Sequence, residues 1–285
     1  MRRWWRDLTD LVLPAECGGC GMPRAVLCPE CRAALTGAAP CRVRPVPEPA
    51  GLSVVHAAAP YGDEVRAMLL AHKERGALAL AAPLGAALAG AVRAGLGPAG
   101  RLGAGHGPVS LVPVPSARWA VRARGHDPVR RIALAAAGEL RRTGTPARVL
   151  GVLRQRRAVA DQSGLNSRQR AVNLAGALEV AAGGERLLAG GGRVVLVDDL
   201  MTTGASLAEA ARAVRAVRTA RSGTRTLRWT GERTGRVEVY RRIGGREAGE
   251  RSVIEGVEQA GERSGETVCS AVIAAPPGAF EINRN

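Results

Sequence analysis

Aromatic side chains are scarce in this 285-residue chain, with one Phe, two Tyr and four Trp. A platform on which successive bases of a single strand could stack therefore has few candidates. Lysine is scarcer still: Lys73 is the only one, so nearly all of the 41 basic residues are Arg. No run of about 18 uncharged apolar residues occurs, which argues against a transmembrane segment. The closest, Ala77 to Val92, is Ala-rich, carries Pro83 and is expected as a buried helix or helix pair. No G-x-x-x-x-G-K-[ST] string is present, which argues against a P-loop ATPase or helicase. The N-terminus, MRRWWRDLTDLVLPAEC, starts with arginines, but Arg6, Asp7 and Asp10 interrupt any apolar core and no small-x-small cleavage site follows. No secretory signal is expected. Trp4, Trp5, Leu8, Leu11 and Val12 have helical spacing and are expected to pack on the body of the protein, the alternative being a membrane-surface or partner helix.

What is present argues for a folded, phosphate-handling protein. Apolar residues make up 46% of the chain, which argues against global disorder, and the length suits one or two domains. The net charge of +16 and pI near 11.3 raise the question of nucleic acid. Part of that basicity is the residue usage of a GC-rich coding sequence. Arg also suits polyphosphate, because its planar fork meets two phosphate oxygens at once.

Four of the six cysteines fall early, as Cys17-x2-Cys20-x7-Cys28-x2-Cys31. Two C-x-x-C knuckles this close can wrap one tetrahedral Zn²⁺ with four thiolates, and Gly18, Gly19 and Gly21 allow the tight turns. Two disulfides are the alternative; the reducing compartment expected for a chain without an export signal favours zinc. Such a structural site contributes on the order of 10 kcal/mol to folding a segment too short for its own core. Cys41 lies in a Pro-rich stretch, PCRVRPVPEPAG, that reads as a linker, and Cys269 in an apolar strand-like run, CSAVIAA.

From about Ser53 the pattern alternates between strands and helices. VVHAAAPY reads as a strand and GDEVRAMLLAHKERG as an amphipathic helix with Val65, Met68, Leu69 and His72 on one face. PVSLVPVP reads as a strand, then come a helix from about Pro128 to Arg142, a strand around Val149 to Leu153, a helix from about Asn166 to Leu174 and the VVLV strand. The fold class is α/β, a parallel sheet flanked by helices with a small N-terminal four-cysteine zinc module, and ligands in such sheets sit beyond the carboxyl ends of the strands. Gly95 to Gly100 matches G-x-G-x-x-G but follows a helix and precedes a strand, the reverse of the dinucleotide context, and is expected as a loop. Residues 1–45 form the N-terminal helix and zinc module and 46–217 the α/β domain. Residues 218–267 form an Arg-, Glu- and Gly-rich insertion in which TLRW and RVEVYRRI could pair as a hairpin, and 268–285 supply a final strand.

The richest string is VVLVDDLMTTGAS. An apolar run ends in Asp198 and Asp199, a small hydroxyl loop follows, and a helical pattern opens at Ala205 and runs to Val217. Backbone N–H groups there, with the hydroxyls of Thr202, Thr203 and Ser206 and the small Gly204 and Ala205, suit a sugar phosphate. The two carboxylates suit vicinal ribose hydroxyls or a hydrated cation. A buried strand with an Asp-rich helix cap is the plainer alternative, but a cap needs one acceptor rather than five polar residues in sequence.

A second strand end, VPVP, leads into Arg118, Arg122, Arg124, Gly125 and His126, cations suited to a pyrophosphate; a solvated basic loop is the alternative. A third segment holds Arg154, Gln162, Ser163, Leu165, Arg168, Arg170 and Asn173, with a polar front half suited to a closing loop and a back half suited to a short helix.

The VVLVDDLMTTGAS string resembles the phosphoribosyl pyrophosphate (PRPP) signature of type I phosphoribosyltransferases. With the cysteine knuckles, YGDEVRAMLLAHKERG, LVPVPSARWAVRARGHDPVRR and Gln162-x2-Leu165-x4-Arg170-x2-Asn173, all in order, the chain resembles the ComF family of competence-associated phosphoribosyltransferase-like proteins. The resemblance implies a type I phosphoribosyltransferase fold, PRPP bound with Mg²⁺, and a cytoplasmic protein linked to DNA uptake. It implies that Asp198 and Asp199 steady the ribose, that Thr202 to Ser206 hold the 5′-phosphate, and that Arg118, Arg122 or Arg124 draw away pyrophosphate. Two readings stay open: a transferase acting on a nucleobase or amine, and a non-catalytic PRPP-sensing or DNA-handling adaptor that meets single-stranded DNA or a competence helicase, at the inner membrane surface or away from it. Where the family usually carries Phe and then Asn-Gln or Asp-Gln after Arg-Gly, this chain has His126, Asp127 and Pro128.

Overall fold

β-Branched runs that are apolar at every position make strands covered on both faces, and the central strands here are of that kind. A computed structural model describes residues 16–101, 107–157, 167–189, 192–222 and 268–283. The expected helix at Trp4 to Val12, the residues Gln162, Ser163 and Leu165, and the expected TLRW/RVEVYRRI hairpin lie outside the described residues.

In chain order the elements are α1 (Pro29–Thr36), β1 (Cys41–Val43), β2 (Val55–Pro60), α2 (Asp63–Glu74), α3 (Ala81–Arg101), β3 (Gly107–Pro113), α4 (Arg118–Arg124), α5 (Pro128–Arg142), β4 (Ala147–Val149), β5 (Leu153–Gln155), α6 (Ser167–Leu174), β6 (Leu178–Val180), α7 (Gly184–Leu188), β7 (Gly192–Leu200), α8 (Ala205–Ser222) and β8 (Cys269–Ala275). The main sheet has the order β1-β2-β8-β7-β3-β4; β1 is antiparallel to β2 and the other pairings are parallel. A separate antiparallel pair joins β5 to β6.

Alternation along β7 feeds two cores. Val195 and Val197 face a cluster built with α1, α2, α3 and α5, while Val194 and Leu196 face one built with α8 and the β5–β6 pair. All seven residues of β8 are buried, which accounts for the apolar run around Cys269. Helix α2 turns Val65, Met68, Leu69 and His72 inward, as its spacing predicts. Helix α5 begins where Asp127 accepts a hydrogen bond from the Arg130 N–H at 3.1 Å and Pro128 supplies a pre-set φ.

Several expectations are corrected in detail. The strand expected around Val149 to Leu153 is two strands, β4 and β5, in different sheets. The helix expected to end at Val217 continues to Ser222, past the expected domain edge. Gly95 to Gly100 is not an open loop: helical structure runs through it with one break, at Gly97 (φ 64°). The Pro-rich linker contains β1, which places Cys41 on the sheet edge. Leu78–Gly97 is long and apolar enough to cross a membrane by length and composition alone. Leu84, Ala87, Leu88, Ala91 and Val92 within it are nonetheless buried in the core of this chain.

Strand order fixes where a ligand goes. From β3 the chain crosses over to β4 on one side, and β7 is bordered by β8 on the other, so the winding reverses between β3 and β7. The helices that follow β3 and β7 lie on opposite faces and diverge, leaving a crevice beyond the two strand ends.

Candidate functional site

The crevice is a cleft of about 470 Å³. The loop after β3 (Pro115, Ser116, Ala117) and the start of α4 form one wall, and the end of β7 with the loop before α8 forms the other. The strands meet in register, Pro113 opposite Val197, and the Val114 N–H continues the ladder to the Val197 carbonyl at 2.9 Å. The two loops that carry the expected PRPP and arginine motifs are thus neighbours.

Asp198 and Asp199 are successive residues at the end of β7, and both line the cleft. Asp199 is nearly buried and its Oδ2 accepts from Lys73 Nζ at 3.0 Å, an ion pair with side-chain exposures of 8% and 35%. The Asp199 carboxylate raises the Lys73 pKa above its ordinary value. Asp198 is half-buried and its Oδ1 accepts from the Asp199 N–H at 2.9 Å. Desolvation pushes the Asp198 carboxyl well above the usual carboxylate range, the Asp199 charge pushes the same way, and Lys73 opposes both.

Beyond β7 the chain turns through Thr202 and Thr203 into Gly204, at φ +75°, and α8 starts. A Cβ on Gly204 would lie 3.1 Å from Leu52 and 3.2 Å from Pro45, so both the backbone conformation and the packing call for glycine. Thr202 and Ser206 line the cleft; Thr203 does not, and its hydroxyl lies 3.5 Å from the Ala205 N–H. Hydroxyls and the N-terminus of an 18-residue helix therefore face the same space as the two carboxylates. Arg170 of α6 donates from Nη1 to the Thr202 hydroxyl at 3.1 Å, while its Nε is buried with no partner among the described residues.

Of the three arginines expected to meet pyrophosphate, one lines the cleft. Arg124 pairs through Nε with Glu74 at 3.1 Å, and its Nη1 is buried with no partner among the described residues. Arg118 and Arg122 are exposed and line no part of it, because α4 turns them outward. Arg168 is likewise exposed, on α6. His126 does not line the cleft either; its Nδ1 lies 3.1 Å from the Arg124 carbonyl.

Lys73 and Glu74, in the last turn of α2, are the site residues that motif reading missed. The signal for the first was present as the sole lysine in a chain whose other basic residues are arginine. Glu209 was missed too. This buried α8 carboxylate accepts from the Leu178 N–H at 3.0 Å and from Arg212 Nε at 2.7 Å, while Arg212 also donates to the Leu178 carbonyl. Burial raises the Glu209 pKa, but the Arg212 and Leu178 donors outweigh it and leave the group below its usual value. The clasp pins β6, which supplies Leu178 to the cleft wall, to the helix that starts at the Thr202–Gly204 loop.

The second site is the cysteine cluster. The four Sγ atoms of Cys17, Cys20, Cys28 and Cys31 all lie within 4.8 Å of one another, and none forms a disulfide. A tetrahedron with Zn–S bonds of about 2.3 Å has edges of about 3.8 Å, so the four donors could hold one structural Zn²⁺. Burial pushes the Cys17 thiol up, but N–H donors of Cys28, Cys20 and Gly19 outweigh it and bring it to about 6, thiolate at neutral pH. Burial and the neighbouring Cys28 and Cys17 sulfurs push Cys31 up, a repulsion that a divalent cation would relieve. Cys28 caps α1, its Sγ accepting from the Cys31 N–H at 3.4 Å. Of the three glycines only Gly21 uses a positive φ; a Cβ at Gly19 would meet Cys31 Sγ at 2.5 Å, and one at Gly18 would meet the end of the Leu80 side chain.

A scan against models of known protein families finds no match, and neither does a search of the curated proteins.

Proposed function

We propose that the β3–β7 crevice binds PRPP with Mg²⁺, and that this chain is a ComF-like protein of type I phosphoribosyltransferase fold. The observation that carries the reading is the convergence, at one topological switch, of two adjacent carboxylates, a hydroxyl-bearing helix start, and a cation on each side. A phosphorylated pentose with a charged leaving group needs that set: acceptors for vicinal hydroxyls, donors for the 5′-phosphate and positive charge for pyrophosphate.

The chain's residues then take distinct roles. Thr202, Ser206 and the first N–H groups of α8 hold the 5′-phosphate. Asp198 and Asp199 accept from the ribose hydroxyls, and their charge favours the positive charge that develops at the anomeric carbon as the C–O bond to pyrophosphate lengthens. Lys73 holds the Asp199 carboxylate in place through their 3.0 Å ion pair. Arg124 has an unspent N–H for pyrophosphate, and Arg170 braces Thr202. The carboxylates fit a hydrated Mg²⁺, which Asp198 and Asp199 would hold and which supplies charge neutralisation to the leaving group. The protein is cytoplasmic in this reading, with a place in DNA uptake.

Calorimetric titration with PRPP and Mg²⁺, followed by a pyrophosphate-release assay across nucleobases and amines, tests it. Micromolar to millimolar PRPP binding that D198N/D199N abolishes, with the far-UV dichroism unchanged, is the expected outcome. Unchanged affinity in the double variant refutes the site assignment. PRPP binding without turnover of any acceptor favours the non-catalytic adaptor. Retention on single-stranded DNA that falls with salt and with zinc chelation would tie that adaptor to the four-cysteine module.

A further inference from the structure

Arg124 is the member of the arginine trio that lines the cleft, and its backbone is anchored there. It ends α4: Gly125 follows at φ +74° and returns its N–H to the Val121 carbonyl at 2.9 Å. The next residue, His126, meets the ring of the buried His72 on α2 edge-on, with centroids 5.8 Å apart. The end of α4 and the last turn of α2 are therefore held side by side. An arginine side chain still has several rotatable bonds and would sample many orientations from that anchor. Glu74 removes that freedom. Its Oε2 accepts from Arg124 Nε at 3.1 Å, and a contact at Nε leaves the terminal nitrogens for another anion. One of them, Nη1, is buried with no partner among the described residues.

The direction of approach separates a positioning contact from a competing one. Lys73 and Glu74 are successive residues in the last turn of α2, yet Lys73 lines the cleft and Glu74 does not; Glu74 lines a groove on α2 with Asp63, Arg66 and Leu70. Its carboxylate thus stands outside the space an anion in the cleft would take, and at 48% exposure its charge is screened by water. We infer that Glu74 is a positioning residue, which holds the Arg124 guanidinium from behind so that its terminal N–H groups are presented to an anionic group in the cleft. This rests on the phosphoribosyl reading, in which that anion is pyrophosphate, and adds to it a residue that touches no ligand. The last turn of α2 then sets both cations, Lys73 directly and Arg124 through Glu74. A fork already in place spares the anion the ordering of a rotamer-rich side chain, a difference of about two- to tenfold in affinity.

The test titrates the full-length zinc-loaded protein with magnesium pyrophosphate and, separately, with ribose 5-phosphate by calorimetry. E74A is expected to weaken pyrophosphate about three- to tenfold and to leave ribose 5-phosphate within about twofold of the parent, a split that a general loss of folding would not produce. E74Q, whose amide oxygen can still accept from Nε, is expected to recover most of the pyrophosphate affinity. R124A should weaken pyrophosphate more than E74A does, and E74A added to R124A should change it no further, because Glu74 acts through Arg124. Pyrophosphate affinity in E74A equal to or above that of the parent, equal losses for the two ligands, or additive losses in the double variant refutes the positioning role while the phosphoribosyl reading stands. If the parent protein does not bind pyrophosphate, Arg124 has no such ligand and the role falls; if it binds no PRPP either, the phosphoribosyl reading falls with it.

Discussion

Replacing Lys73 by methionine keeps an unbranched side chain one atom shorter and deletes its charge, which tests the ion pair with Asp199. At 3.0 Å and an effective dielectric constant of about 20, the gross attraction is about 5 kcal/mol. Desolvation of the nearly buried Asp199 cancels much of this, and the 35% exposure of Lys73 screens the rest, leaving a net of about 1–3 kcal/mol. K73M is therefore expected to lose about 2 kcal/mol at pH 8, a fall of roughly 0.7–1 M in the urea midpoint for a slope of about 2–3 kcal/mol/M. Acid should mask the defect. Burial and Asp199 raise the folded-state pKa of Asp198, and Lys73 is the group that holds it down. A carboxyl whose folded pKa is raised contributes stability that is present below the unfolded value near 4 and is lost as pH rises through the folded value. Without Lys73 that loss is deeper, so the K73M deficit grows from pH 5 to pH 8. Equilibrium urea unfolding at the two pH values, followed by far-UV dichroism, measures it. A midpoint within about 0.2 M of the parent at pH 8, or a larger deficit at pH 5 than at pH 8, refutes the account.

The cysteine cluster predicts one zinc per chain by plasma mass spectrometry. C31S should reduce that ratio to near zero, and so should G19A, whose methyl meets Cys31 Sγ at 2.5 Å; full zinc content in G19A refutes the clearance argument. G204A places a side chain at φ +75° against Leu52 and Pro45, and is expected to cost about 1–3 kcal/mol, read as a lower thermal midpoint. E209A removes the acceptor of the Leu178 N–H and the partner of Arg212, at a cost of about 2–4 kcal/mol at pH 7. The lowered pKa of Glu209 means that its contribution is present above about pH 4.5 and fades as pH falls further, so parent and E209A should converge in acid.

Much of the architecture was legible because local signals agreed with long-range ones. Doubly apolar strands, an Asp127–Pro128 helix start and the inward face of α2 are each written in fewer than a dozen residues. Failures fell where tertiary pairing overrides pattern. Three residues of a Pro-rich stretch become β1 because the edge of β2 has unpaired carbonyl and N–H groups to satisfy, and nothing in CRV announces that. The stretch from Val149 to Leu153 reads as one apolar run, yet a chain leaving β4 must turn off the sheet edge before β5 can pair with β6. Within the site, the motif at β7 was legible because its residues are contiguous. Charge counting carries no helical phase: of the three α4 arginines only Arg124 lines the cleft, while Arg118 and Arg122 are exposed.

Lys73 shows what a composition bias can reveal. Lys73 is the one lysine in a chain whose other basic residues are all Arg. The geometry supplies the reason. Asp199 offers one oxygen to the cation and lies deep beside a second carboxylate, while Arg124 already stands in the cleft with a guanidinium of its own. A compact ammonium approaches Oδ2 at 3.0 Å with its remaining donors free to turn, whereas a planar fork fixes the directions of its five N–H groups. K73R should therefore keep the charge and still lose part of the stability, which separates the shape argument from the purely electrostatic one. Full recovery in K73R would leave the lone lysine an accident of drift.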